Sequence, residues 1–174
     1  MSQRRLSTIG LTALAAIALT AASGASAGAS SPCRPAQLRA AMTVIAGSAG
    51  AGNIEYRLLL KNASKATCTA SGHPALRLRD AARRYLPTHV TGIPPGVTAI
   101  LVTLRPGATA SATLRFSPDV PGVGEQTSGP CERTAHSVRV SLASPGSGSL
   151  IGRVAPPTAV CEHGAMTETN LVHS

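Results

Sequence analysis

The chain has 174 residues and a formal net charge of +9, with 16 basic residues against 7 acidic ones. Tryptophan is absent, and the aromatic residues are two tyrosines and one phenylalanine. A chain so poor in aromatic side chains offers no stacking platform for single-stranded nucleic acid. It also lacks the aromatic faces on which sugar-binding modules lay sugar rings. The positive charge can simply keep a domain soluble, and it also attracts acidic polymers and anionic lipid headgroups.

The first 27 residues have the pattern of an export signal. A short basic segment is followed by the uncharged, apolar residues 6–22, and then by Ala25-Ser26-Ala27, which fits the small-residue pattern that signal peptidase cuts after. We therefore expect a signal-peptide helix over residues 1–27 and a short flexible lead over residues 28–32. A retained membrane anchor is the alternative. We expect no membrane span once the signal is cleaved, because no second apolar segment is long enough.

All cysteines lie after the expected cleavage site, at Cys33, Cys68, Cys131 and Cys161. An even number of cysteines in an exported chain is typical of disulfides. Zinc is the alternative, but structural zinc sites usually take ligands in pairs about two to four residues apart, and no two cysteines here are closer than 30 positions. Three connectivities are open. We favour Cys33–Cys68 with Cys131–Cys161, because each pair would then join neighbouring strands, and we expect no metal ligands and no cofactor.

Alternating apolar and polar residues predict β-strands through the rest of the chain. Glycine- and proline-rich turns separate these segments. The segment 98–104 is the most apolar, so we expect it to be a central strand. The strands are predicted at 54–61, 75–79, 98–104, 110–116 and 137–142, with weaker candidates at 41–46, 84–90 and 165–171.

About eight short strands with this spacing indicate an all-β fold. We predict an immunoglobulin-like antiparallel β-sandwich of about seven to nine strands, forming one domain over residues 33–174. Its core would be aliphatic and would bury less area per side chain than an aromatic core. Two disulfides would offset part of that difference.

Residues 58–74 hold a glycosylation-like triplet, a cysteine and a histidine. Asn62-Ala63-Ser64 matches the N-glycosylation pattern, which also occurs often by chance. Asn and Ser side chains bond to their own backbone in turns, so we interpret the triplet as a turn that follows a strand. His73 precedes a proline in a second turn, and we expect it to be an exposed turn residue rather than a ligand.

The same stretch belongs to a longer pattern that resembles a known family. The pattern consists of Cys33, residues 60–64, residues 68–74, residues 104–110, Cys131 and Cys161. It is similar to a family of actinobacterial exported domains, domain of unknown function 4232, over most of residues 33–171. The resemblance implies a secreted or lipoprotein β-sandwich with two disulfides and no assigned activity. Ala70 and His73 depart from the larger apolar and aromatic residues that are usual there.

No catalytic motif stands out. Residues 24–28 match Gly-x-Ser-x-Gly, but they span the expected cleavage site. No two histidines have a spacing that would bring them to one metal from a single strand. The histidines are His73, His89, His136, His163 and His173. The acidic residues are scattered, so a carboxylate pair for acid–base catalysis could form only across strands. The acidic residues are Glu55, Asp80, Asp119, Glu125, Glu132, Glu162 and Glu168. We expect the protein not to be an enzyme.

The densest basic cluster is Arg77, Arg79, Arg83 and Arg84, a candidate patch for an anionic ligand. A solvated surface without a ligand is the alternative. We predict an exported, non-catalytic binding module of the cell envelope or the extracellular space. Its partner would be an anionic cell-wall polymer or another envelope protein, and not nucleic acid. The alternative function is a small secreted hydrolase or metal-binding protein with a cross-strand site.

Overall fold

The computed structural model describes residues 30–94, 99–142 and 148–174. The expected signal-peptide helix lies outside these residues. The described ranges form an all-β fold, as predicted. Its strands are β1 (Leu38–Val44), β2 (Ile54–Asn62), β3 (Cys68–Ser71), β4 (Ala75–Arg79), β5 (His89–Ile93), β6 (Leu101–Leu104), β7 (Thr109–Phe116), β8 (Ala135–Ser141), β9 (Ser149–Thr158), β10 (Ala165–Thr169) and β11 (Val172–His173).

Helical structure in the described ranges is limited to two short turns. A 3₁₀ turn over Pro35–Gln37 precedes β1, and Cys161–Gly164 form a turn in which Glu162 and His163 have left-handed backbone angles. None of the described helical segments is long and apolar enough to cross a lipid bilayer.

The main sheet is nearly closed on itself. Its strands follow the order β4-β8-β9-β1-β2-β7-β10-β5, and β11 adds to β7. The two ends of this path approach each other just before β5. There, the Leu86 N–H donates to the Leu78 carbonyl (3.0 Å), and the Leu78 N–H donates to Thr88 Oγ1 (3.0 Å). A separate two-stranded sheet pairs β3 with β6.

The main sheet is mixed. Strand β1 runs parallel to β9, and β10 runs parallel to β5, whereas its other pairs are antiparallel. The prediction of a purely antiparallel architecture is therefore wrong at these two pairs. The physical reason is that alternation in a sequence reports which face of a strand is buried, but not the direction of the neighbouring strand.

Strand β9, which has ten residues and lies in the middle of the sheet, is not among the strands predicted from the sequence. Gly152, Pro156 and Pro157 lie within it, and glycine and proline are unfavourable in strand interiors. Gly152 is required by a close approach of two backbones. A Cβ at this position would lie 2.9 Å from the carbonyl carbon of Ala40 in β1.

The expectation of a central strand at 98–104 is also wrong. The described part of that segment contains the four-residue strand β6, which pairs with β3 alone among the described strands. Leu101 is 66% exposed, while Val102 and Leu104 are buried. The candidate at 84–90 overlaps β5 only at its last two residues.

The inner face of the curved sheet carries the hydrophobic core. Its buried side chains are mostly aliphatic, as expected, with one ring pair between Tyr56 and Phe116 at 5.3 Å. Both predicted disulfides are confirmed, Cys33–Cys68 and Cys131–Cys161. The first of them lies beside a backbone pairing, in which the Cys33 N–H donates to the Thr69 carbonyl (2.8 Å).

Candidate functional site

The glycosylation-like triplet is part of the scaffold. Asn62 ends β2 and is 0% exposed. Its Nδ2 donates to the carbonyls of Ala66 and Leu104, both at 2.8 Å. Its Oδ1 accepts from the Ser64 backbone N–H (2.9 Å) and from the Ser64 hydroxyl (2.7 Å). Every donor and acceptor of the amide is therefore used inside the fold, which confirms the interpretation as a turn.

A second buried polar cluster lies at the other end of residues 58–74. His73 Nδ1 is 3.8 Å from Oε2 of Glu168, a carboxylate that is 0% exposed. Glu168 lies on β10, where burial alternates so that Glu168 and Asn170 face the interior. The Leu171 N–H donates to the Gly72 carbonyl (3.3 Å), which holds the end of β10 beside the turn that carries His73.

Four buried polar atoms of this second cluster have no hydrogen-bond partner. Among the described residues, the buried side-chain nitrogen and oxygen atoms without a partner are His73 Nδ1, both carboxylate oxygens of Glu168, and Asn170 Oδ1. Burial raises the pKa of Glu168 to about 8, because no hydrogen bond or positive charge compensates the lost hydration. We call His73, Glu168 and Asn170 the orphan cluster.

A cavity of about 320 Å³ is lined by His73 and Glu168 of the orphan cluster, by Pro74, and by residues of β4 and β5. Gly92 lies opposite Glu168 in the parallel β5–β10 pair. A Cβ at Gly92 would lie 2.8 Å from His73 Nε2, so the imidazole packs where another residue would place a side chain. The His73 side chain is 29% exposed and its Nδ1 is buried, so the expectation of an exposed turn residue is wrong.

The outer face of the main sheet is basic. Arg77 lies directly opposite Arg139 across the β4–β8 pair, and opposite residues project from the same face. Arg39 and Lys61 are opposite each other across β1 and β2. We call this surface the basic face. Its cations are Arg39, Arg57, Lys61, Arg77, Arg79, Arg115, Arg139 and Arg153.

The basic face is continuous across the sheet. Arg153 of β9 links its two halves, because it lies opposite Ser137 of β8 and Ala41 of β1. One carboxylate shares the strands of this face, Glu55, which lies opposite Arg115. Within the described ranges, no carboxylate oxygen lies within 4.0 Å of a side-chain nitrogen of these cations. Their charge is therefore not neutralised by ion pairs.

Tyr85 orders three arginines at one edge of the basic face. The guanidinium carbons of Arg77 and Arg79 lie 4.0 and 5.7 Å from the centroid of its ring. Arg139 Nη1 donates to the Tyr85 hydroxyl (3.1 Å). This hydrogen bond, together with the charges of the arginines, lowers the pKa of Tyr85 despite its partial desolvation.

The predicted patch is divided by the structure. Arg77 and Arg79 belong to the basic face. Arg84 instead pairs with Asp80, with Nε and Oδ2 3.0 Å apart, and Arg133 contacts the same carboxylate. Arg83 lies in the intervening turn, where its carbonyl accepts from Arg79 Nε (3.1 Å). Desolvation alone would raise the pKa of Asp80, but the hydrogen bonds and charge of Arg84 outweigh it and lower that pKa.

Glu125 belongs to two groups of metal-capable side chains. In the first, its partners are Cys131 and Cys161, whose sulfurs are joined in a disulfide. In the second, they are Glu132 and His163. Glu125 already accepts hydrogen bonds from the backbone N–H groups of Gly122 (2.7 Å), Glu162 (2.9 Å) and His163. It therefore holds the left-handed turn after β9 in place.

The sequence alone predicts little of the orphan cluster and only part of the basic face. In the sequence, Glu168 is one of several scattered carboxylates, and no pattern distinguishes Asn170. The basic cluster around Arg77 was recognised because its members are close in the chain. The other cations of the basic face come together only through strand pairing, and Arg139 in the alternating segment 137–142 was the available signal.

Comparison with known proteins identifies a family and no characterised relative. The family model described as domain of unknown function (DUF4232) matches residues 33–171, which is most of the chain. No curated protein and no solved structure matches the sequence. The chain belongs to the family of domains of unknown function DUF4232.

Proposed function

We propose that the protein is an exported, non-catalytic binding module that docks on an anionic polymer of the cell envelope through its basic face. The observation that carries this proposal is the accumulation of eight cations, with one carboxylate, on a single sheet surface. Such a surface attracts a chain of phosphate or carboxylate groups and gains affinity as the polymer's counterions are released.

Two features support a location outside the cytoplasm. The N-terminal residues have the pattern of a signal peptide. The two disulfides are typical of proteins that mature in an oxidising compartment. We also propose that the fold belongs to the immunoglobulin-like sandwich type, with the β3–β6 sheet beside the curved main sheet. A basic module released there would meet acidic envelope polymers before it meets nucleic acid.

The side chains between the cations favour a long, flexible ligand over a compact one. The outward positions are mostly Ser, Thr and Ala, as in β7 and β10, so the surface carries charge without a deep apolar anchor. A protein partner would be expected to need a buried apolar or aromatic centre for tight binding. A linear polyanion needs only charges spaced along a face.

The proposal is tested by binding of the mature protein to inorganic polyphosphate and to purified anionic wall polymer. We expect the logarithm of the association constant to fall linearly with the logarithm of salt concentration. The triple variant Arg57→Gln/Lys61→Gln/Arg153→Gln should lower affinity at least about tenfold at ~0.1 M salt, because each change removes a cation from the surface that the polymer contacts. Exposed charges further away cannot replace these cations, since they interact strongly only within about 10 Å under these conditions.

The matched control is Arg34→Gln/Lys65→Gln/Arg105→Gln, which removes the same net charge from exposed positions outside the basic face. It should change affinity by less than about threefold, since its charges lie off the surface that the polymer contacts. Equal losses in both triple variants would show that net charge rather than the basic face governs binding. The proposal would be contradicted if the wild-type protein bound neither polyphosphate nor the wall polymer but did bind an envelope protein.

A further inference from the structure

The orphan cluster has the composition of an incomplete ligand site. Its four unpartnered atoms can all offer a lone pair: two carboxylate oxygens, one amide oxygen and, when the imidazole carries its hydrogen on Nε2, His73 Nδ1. A buried polar group without a partner costs about 1–3 kcal/mol, and native proteins keep few of them. His73 Nδ1 and Glu168 Oε2 lie 3.8 Å apart, and Asn170 is buried two positions after Glu168, so one missing positively charged guest explains these atoms better than separate defects do.

The described part of the chain supplies no such charge. Glu168 has one ion-pair contact, to His73, and no Lys or Arg nitrogen of the described residues lies within 4.0 Å of it. The Glu168 oxygens are also not bonded to any backbone N–H. This sets Glu168 apart from Glu125, which accepts from three backbone N–H groups and needs no further partner.

We propose that His73, Glu168 and Asn170 bind one divalent transition-metal ion of the zinc class. An imidazole nitrogen combined with oxygen donors suits zinc, whereas calcium and magnesium prefer shells made of oxygen alone. Zinc bonds to histidine and carboxylate are about 2.0–2.2 Å long, so tetrahedral ligand atoms lie about 3.3 Å apart. The present separation of 3.8 Å between His73 Nδ1 and Glu168 Oε2 requires only a small closure.

The surroundings allow an ion to enter and to complete its shell. The adjoining cavity of about 320 Å³ has room for water ligands, and His73 lies at its rim with 29% of its side chain exposed. Gly92 leaves the space that the imidazole occupies. The site lies on the inner side of the sheet, so it is independent of the basic face, and either proposal can fail alone.

The test is calorimetric titration of zinc chloride into the disulfide-bonded, chelator-stripped mature protein. We expect one ion per chain with a dissociation constant in the micromolar range or tighter. Glu168→Gln and His73→Phe should each weaken binding at least tenfold. Both replacements keep much of the original shape, and His73→Phe keeps a ring against Gly92. Thermal unfolding of each metal-free variant establishes that it is folded.

The matched control is the double variant Glu132→Gln/His163→Ala, which removes the rival donors beside Glu125. It should bind zinc as the wild type does. Absence of binding to the wild type would overturn the proposal, as would binding that survives in Glu168→Gln and disappears in the control variant. If one orphan-cluster variant does not fold, the other variant and the control still decide the outcome.

Discussion

Two buried polar clusters lie at opposite ends of residues 58–74, and they differ in how completely they are hydrogen-bonded. Asn62 uses both amide hydrogens and accepts two further hydrogen bonds at its oxygen. The orphan cluster, reached through His73, has four buried atoms without any partner. Both clusters are inaccessible to solvent at their polar centres. A buried polar group whose hydrogen bonds are complete belongs to the scaffold, whereas one whose hydrogen bonds are missing is a candidate site.

The largest expected effect concerns Glu168 in the metal-free protein. Its pKa is about 8 when folded, against roughly 4.3 for an unperturbed glutamate. The folded state holds the proton more tightly, so this contribution to stability is fully present below about pH 4.3. This contribution to the free energy of unfolding is roughly 3–5 kcal/mol. It decreases as the pH rises and is lost once the pH has passed about 8.

Urea unfolding of the wild type and Glu168→Gln at pH 5 and pH 8, both with chelator, measures this difference. The wild type should lose more stability than the variant between these pH values. His73 faces the same carboxyl, so His73→Phe is measured in parallel. Identical pH dependence of the wild type and Glu168→Gln would mean that Glu168 is not held in a desolvated, unpartnered state.

Removal of the Asn62 amide should destabilise the protein, because the hydrogen bonds of this side chain are complete. Asn62→Ala would leave the carbonyls of Ala66 and Leu104 and the Ser64 N–H without their partner, so we expect a loss of about 2–3 kcal/mol in the free energy of unfolding. Asn53→Ala is the matched control, because its amide donates to one carbonyl, that of Ala51.

Chemical denaturation of the two asparagine variants checks this prediction. The control should lose less than about 1 kcal/mol, which is the net value of one ordinary hydrogen bond. A loss in Asn62→Ala no greater than in Asn53→Ala would remove the distinction between a complete cluster and an ordinary turn.

The smallest effect is expected from crowding the orphan cluster. In Gly92→Ala the new Cβ would meet the His73 ring at 2.8 Å, so the ring must shift, at about 1–2 kcal/mol of stability and with weaker zinc binding. Gly50→Ala is the control, because a Cβ there meets nothing within 4 Å. Thermal unfolding with and without zinc separates the two effects. Zinc affinity unchanged in Gly92→Ala would indicate that the position of the imidazole does not matter.

The features that the sequence predicted are local ones. Strand β4 was predicted with its observed bounds, because the alternation of Leu76 and Leu78 with two arginines reports directly which face is buried. The even number of cysteines predicted two disulfides, and the favoured pairing rested on the expectation that each bridge joins neighbouring strands. Strand β9 was missed because Gly152 looks unfavourable until the nearby backbone of β1 is known.

The candidate sites depend on pairings between distant parts of the chain. His73 and Glu168 are 95 positions apart in the sequence and meet because β10 lies beside β5 and the end of β10 is bonded to the turn at Gly72. Nothing in the turn around His73 indicates that partner. The basic face likewise depends on the parallel pair of β1 and β9, which brings Arg153 beside the arginines of β1 and β2. Alternation along one strand reports which face is buried, but not which distant strand lies beside it.

The most direct test of the orphan cluster as a metal site is anomalous diffraction, at the zinc absorption edge, from crystals of the mature protein grown with zinc. We predict an anomalous peak within about 2.5 Å of both His73 Nδ1 and a Glu168 carboxylate oxygen, the range of zinc–ligand bonds. A structure with no peak there, or with its only peak beside Glu125, Glu132 and His163, would contradict the assignment.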